Sequence, residues 1–93
     1  MIRVSVMYPK SEGSTFDLDY YTTKHMAIVD ATIKPTKWEV DGGADGPHMA
    51  IGHLYFDSMD AMGAAMANAG DALADIPNFT NAEAAMQVSE IVA

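Results

Sequence analysis

Phe16-Asp17-Leu18-Asp19-Tyr20-Tyr21-Thr22-Thr23-Lys24-His25-Met26-Ala27-Ile28-Val29 is the stretch around which the chain is organised. At about 100° per residue with Leu18 at zero, Tyr21, His25, Ile28, Val29 and Thr32 fall within about 80° of it and form one stripe. Tyr20, Lys24, Ala27 and Ala31 lie on another side. The periodicity predicts an amphipathic helix capped by Thr15 or Asp17, with Asp17 and Asp19 where its N-terminal partial positive charge favours them. It should reach Ile33 and stop before Lys34-Pro35, because a residue preceding proline avoids helical angles. His25 then points with the stripe at whatever this helix packs against. A titratable group aimed into a core needs a hydrogen-bond partner or a ligand.

The flanking segments read as strands. In Ile2-Arg3-Val4-Ser5-Val6-Met7-Tyr8, Ile2, Val4, Val6 and Tyr8 share one face while Arg3, Ser5 and Met7 share the other. Both faces carry apolar side chains, as in a strand central to its sheet. Pro9 to Ser14 is a loop, Thr36 to Val40 a short second strand, and the glycine-rich Asp41 to Pro47 a turn. Met49 to Phe56 is the third strand, with Met49, Ile51, His53 and Tyr55 on one face and Ala50, Gly52, Leu54 and Phe56 on the other. Gly52 there allows close approach of a neighbouring group.

Ser58 caps a second helix that carries Met59, Met62, Met66 and Ala69 on one stripe and ends at Gly70. Asp71 to Ile76 is a short helical turn stopped by Pro77, and Ala84 to Val92 the last strand. The order βαββαβ with right-handed crossovers implies an α+β, ferredoxin-like domain spanning residues 1–93, a four-stranded antiparallel sheet with both helices on one face. The other sheet face, expected to be apolar as well, calls for a cover. The same face of a second copy is the simplest one, giving an isologous homodimer.

Composition narrows the function. The 93 residues suffice for one domain. A hydrophobic fraction of 49 % suggests apolar surface reserved for a partner or a pocket, although 15 alanines inflate it. With a net charge of −8 and only five Lys or Arg, the chain has no basic cluster for phosphates, which argues against nucleic acid and against anionic membranes. The absence of cysteine excludes disulfides, thiolate metal sites and a cysteine nucleophile. No apolar run approaches a membrane span and no signal core follows the N-terminus, so a cytoplasmic protein is expected.

Four blocks carry a family resemblance: Met7-Tyr8-Pro9; Phe16 to Tyr21 followed by Lys24-His25; Ala50 to Ser58; and Ala74 to Asn81. In this order and spacing the chain resembles the EthD family, named for ethyl tert-butyl ether degradation. The resemblance implies a dimeric α/β barrel, two ferredoxin-like subunits packed sheet to sheet, with a cleft between helices and sheet able to hold a small, mostly apolar molecule. Related proteins include cofactor-independent mono-oxygenases, muconolactone isomerases and fungal dehydratase or decarboxylase-type tailoring proteins. The family itself supplies no defined reaction, and its name reflects association with an ether-degrading oxygenase system. In one departure, Ala27 stands where the family usually has proline, two residues after the histidine. Alanine is expected to let the helix run straight.

Several side chains are candidates for the site. His25 is either a core imidazole tied to a carbonyl or a tyrosine, or an acid, base or ligand anchor in a cleft. His53 is either inert in a sheet interface or, if it faces the helices, able to meet His25 and relay a proton. Tyr21 can orient the imidazole, donate to a substrate oxygen, or simply pack. Trp38 and Tyr55 can shape a substrate pocket or fill the core. Met26, Met59, Met62, Met66 and Met86 form either a pliable pocket lining or ordinary core packing. No helix carries His-x-x-x-His or Glu-x-x-His, and no haem, flavin, phosphate-loop or serine-elbow signature occurs, so neither metal nor cofactor is expected. Three readings remain: cofactor-free acid–base chemistry on a small apolar organic substrate in a degradation or biosynthetic pathway, a non-catalytic accessory or binding protein for an oxygenase system, and a dimeric structural module with no ligand.

Overall fold

Alternation of large apolar side chains makes Ile2–Pro9 the first strand, β1, with Ile2, Val4 and Tyr8 buried on one side. The computed structural model describes residues 1–93. Helix α1 (Leu18–Tyr20) opens with the Asp17 carboxylate accepting from the Tyr20 amide at 3.0 Å. It passes through a π-helical turn (Tyr21–His25) into α2 (Met26–Thr32). There follow β2 (Lys37–Gly42), β3 (His48–Phe56), α3 (Met59–Met66), α4 (Gly70–Asp75), a single 3₁₀ turn (Ile76–Asn78) and β4 (Ala85–Glu90). The strands pair antiparallel in the order β2-β3-β1-β4, the ferredoxin-like arrangement with β1 central.

The core lies between helices and sheet. Val4, Tyr8, Ala50, Leu54 and Phe56 rise from the sheet to meet Tyr21, Met26, Val29, Ile33, Ala72 and Phe79. Ser58 caps α3 through its hydroxyl, which accepts from the Ala61 amide at 3.1 Å. α2 ends with Lys34 in the left-handed region (φ 56°), its amide bonded to the Val29 carbonyl at 3.0 Å.

Three expectations need correction. The first helix is not regular: the wider turn at Tyr21–His25 sits where a straight helix was expected. Consecutive threonines contribute, because the hydroxyls of Thr22 and Thr23 donate to the Leu18 and Asp19 carbonyls at 3.0 and 2.6 Å, competing with the backbone ladder. The turn re-phases the helix. Leu18 is left exposed, and Met26, at the edge of the expected stripe, becomes one of the most buried side chains.

The second correction concerns Gly70, which begins α4 instead of ending the preceding helix. That helix stops at Met66, and its stripe is shallow: α3 buries none of its residues and Met59 is exposed.

The third concerns the sheet face away from the helices, which is mixed: Met7, Ile51 and Tyr55 share it with charged and polar side chains. Lys37, Glu39 and Asp41 on β2 lie beside Tyr55, His53 and Ile51 on β3, which lie beside Arg3, Ser5 and Met7 on β1. Some of these side chains satisfy one another: the Tyr55 hydroxyl donates to Glu39 and Lys37 sits over the Tyr55 ring at 4.5 Å. Arg3 Nε, buried on this face, has no partner.

Candidate functional site

The π turn places Tyr21 and His25 one above the other, their rings stacked at 5.1 Å and 14°. Both are buried, and Phe79 closes on them at 4.9 Å from Tyr21 and 4.6 Å from His25. Beneath lies a carboxylate that the sequence reading did not single out. Asp75, the last residue of α4, sits with Oδ2 at 2.9 Å from His25 Nδ1. Its other oxygen, Oδ1, accepts from the Tyr20 hydroxyl at 2.7 Å and from Asn78 Nδ2 at 2.9 Å.

This arrangement sets the charge state of the carboxyl. Burial alone would raise its pKa, but the hydrogen bonds from Asn78, Tyr20 and His25 outweigh that and hold it below the ordinary value. Tyr20 is pushed the other way, chiefly because its proton is bound to Asp75. A carboxylate can only accept, so Nδ1 carries the hydrogen of this pair, and in the neutral ring Nε2 is left with its lone pair. Nε2 makes no hydrogen bond within the chain.

His25 opens onto a cavity of about 40 Å³ between the helices and the sheet. Thirteen of its fifteen lining residues are hydrophobic, and the other two are His25 and Gly52. Met66 and the half-exposed Met86 are also in the lining. Gly52 matters sterically, because a Cβ there would lie 2.1 Å from the Tyr21 hydroxyl oxygen. The close approach expected at this glycine is therefore made by a phenol. Tyr8 stands edge-on to Tyr21 at 5.5 Å and 76° and lines the same cavity. Burial, then the neighbouring Tyr21, pushes the Tyr8 phenol far up, and burial raises Tyr21 as well.

The remaining candidates lie elsewhere. His53 faces the opposite side of the sheet, with Nδ1 3.0 Å from the Ser5 hydroxyl and Nε2 2.8 Å from Asp41. It does not meet His25, because β3 alternates and the helix-facing positions are Ala50, Gly52, Leu54 and Phe56. Tyr55 shares the side of His53. Trp38 packs at the β2 edge, its indole N–H donating to Asp30 at 2.9 Å. Neither aromatic lines the cavity. No three potential metal-ligating side chains come together.

No protein-family model and no curated protein matches the chain. Among solved structures it is similar to an EthD-like protein from Ralstonia eutropha, at 36 % identity and a TM-score of 0.85, over 99 % of this chain and 92 % of that one. The chain belongs to the EthD family. An ethyl tert-butyl ether degradation family protein from Bacillus halodurans matches this EthD chain at 14 % identity and a TM-score of 0.76, over 99 % of each. A candidate antibiotic biosynthesis monooxygenase from Deinococcus radiodurans matches at 14 % identity and a TM-score of 0.64, over 99 % of this chain and 92 % of that one. The last two share its fold alone.

Within the EthD chain, sequence reasoning missed Asp75, Tyr20 and Asn78. A signal existed: Ala72, Asp75 and Ile76 are three and four residues apart, which puts the carboxylate with the apolar face of a short helix.

Proposed function

We propose that this EthD family protein binds a small, mostly apolar organic molecule in the cleft between its helices and sheet. His25, held by Asp75, acts there as a cofactor-free acid–base group, with Tyr21 stacked against it. The observation that carries this reading is the buried His25–Asp75 pair at the wall of an otherwise apolar cavity. Asp75 fixes the tautomer and orientation of the ring, which leaves Nε2 to accept a proton and later return it.

The cavity is small beside most ligand pockets, so entry requires Met66 and Met86 to swing aside. A second reading is that of a non-catalytic accessory or binding protein for an oxygenase system. We also assign the open sheet face to a homodimer contact, supported by the buried, unpaired Arg3 Nε on it. Sedimentation of the wild type and of an Ile51→Lys variant tests this: a dimer that survives the lysine would refute it.

The cleft is tested by NMR titration of the three imidazoles, alone and with a panel of small aromatic and alicyclic compounds. Displacement of the His25 titration by one compound class supports the site. A His25 signal indifferent to every compound leaves a structural histidine. Turnover of a compound so identified, lost in His25→Ala while binding persists, separates catalysis from the accessory role.

A further inference from the structure

Three methionines line the cavity beside His25: Met26, Met66 and Met86. Their access to solvent differs sharply. Met26 is 1 % exposed, Met66 is partly buried, and Met86 is 48 % exposed. Met86 stands on the edge strand β4, opposite Val6 on β1, and Val6 lines the same cavity. One thioether therefore borders both the apolar interior and water. Met1 and Met59 are comparably exposed, at 48 % and 54 %, but neither lines the cavity.

We propose that Met86 is a methionine-sulfoxide site through which hydrogen peroxide weakens the cleft's hold on apolar ligands. The proposal rests on the cleft being a binding site, as argued above, and adds a redox control to it. The sulfur lone pair attacks one peroxide oxygen, so that an S–O bond forms and the O–O bond breaks. Sulfur is oxidised, and the departing hydroxide takes the proton from the new S–OH group and leaves as water. The thioether is a flexible apolar side chain that can turn aside for an entering ligand, whereas the sulfoxide carries a polar acceptor on the same stem. Thirteen of the fifteen lining residues are hydrophobic, so that oxygen is best solvated from outside. Seating an apolar molecule against it strips away the water at a cost.

The test follows the eight methionine methyl groups by NMR in ¹³C-methyl-labelled protein, with benzene and cyclohexane as apolar probes. Graded hydrogen peroxide is expected to convert Met86 and Met59 before Met66 and Met26. Probe binding should weaken about fivefold or more as Met86 is converted. It should recover on treatment with both methionine sulfoxide reductases, one for each epimer. Met86→Leu should keep its affinity through the peroxide treatment, whereas Met59→Leu should lose it as the wild type does. Met86→Gln puts a polar amide in the sulfoxide's place and should bind weakly without peroxide, a second reading of the same effect if the leucine variant does not fold.

If the probes bind the Met86-oxidised protein as tightly as the reduced one, or if Met86→Leu loses affinity along with the wild type, the redox control falls while the cleft stands. If neither probe moves His25 or any cavity methyl in the reduced protein, the binding site itself falls and the control with it.

Discussion

Replacing Gly52 by alanine is the sharpest perturbation of this site. Alanine in a strand normally stabilises relative to glycine, because glycine gives up more backbone freedom on folding. The Gly52 backbone does not occupy the left-handed region, so it should accept a Cβ. Here, however, that Cβ would sit 2.1 Å from the Tyr21 hydroxyl, about 1.3 Å short of ordinary contact. Tyr21 cannot easily retreat, because its ring is held by His25, Phe16, Phe79 and Tyr8 at 4.9 to 5.5 Å. Overpacking of this kind costs about 1–3 kcal/mol. In a domain of this size that lowers the melting temperature by roughly 4 °C at the least and by up to about 20 °C.

Tyr21→Phe supplies the control. It removes the hydroxyl, leaving the ring carbon Cζ at 3.3 Å as the nearest neighbour, a tight contact that needs only a small adjustment. In a double-mutant cycle, Gly52→Ala should therefore cost far less in the Tyr21→Phe background than in the wild type. Thermal unfolding by circular dichroism measures all four corners, and the His25 NMR titration reports whether the stacked imidazole moves with Tyr21. A Gly52→Ala variant as stable as the wild type would refute the reasoning. So would an equal loss in both backgrounds, which would show that the glycine serves the backbone and not the phenol.

Other outcomes follow from the same geometry. Asp75 has a folded pKa below its ordinary 3.8, so the unfolded chain binds the more protons. Its stabilising contribution is present above 3.8 and is lost as pH falls through the lower folded value. Urea unfolding should thus find Asp75→Asn less stable than the wild type at neutral pH, with the gap closing in acid. Ser58→Ala removes the acceptor for the Ala61 amide and should cost about 1 kcal/mol, lowering the melting temperature by about 4–8 °C. Lys34→Gly relieves a side chain at φ 56° and should raise stability by about 0.5 kcal/mol, read by chemical denaturation.

The sheet was legible because its signals are local. Period-two alternation in Ile2 to Tyr8 and in Met49 to Phe56 fixes which side chains share a face, and the observed register keeps those sets together. The first helix was legible as a helix but not in its phase. A π turn depends on whether the Thr22 and Thr23 hydroxyls divert backbone carbonyls, and on whether the core rewards burying Met26, and a periodicity of 3.6 contains neither. The two histidines show the same limit. Alternation correctly grouped His53 with Tyr55, but only the assembled sheet decides that Gly52 and Leu54 face the helices. Asp75 lies 50 residues from His25, and nothing local to either announces the other.

That partner bears on how His25 is best understood. A histidine that merely fills a core can satisfy Nδ1 with a backbone carbonyl, which adds no second titratable group to the interior. This fold instead buries a carboxylate and then surrounds it with three donors, from Asn78, Tyr20 and His25, to keep it ionised. Such an arrangement is expensive for a 93-residue domain with little core to spare. A carboxylate under an imidazole fixes which nitrogen carries the hydrogen and which is left to act. The pair lies at the wall of one apolar cavity, and that combination, more than the burial of either side chain, is what the proposed acid–base role rests on.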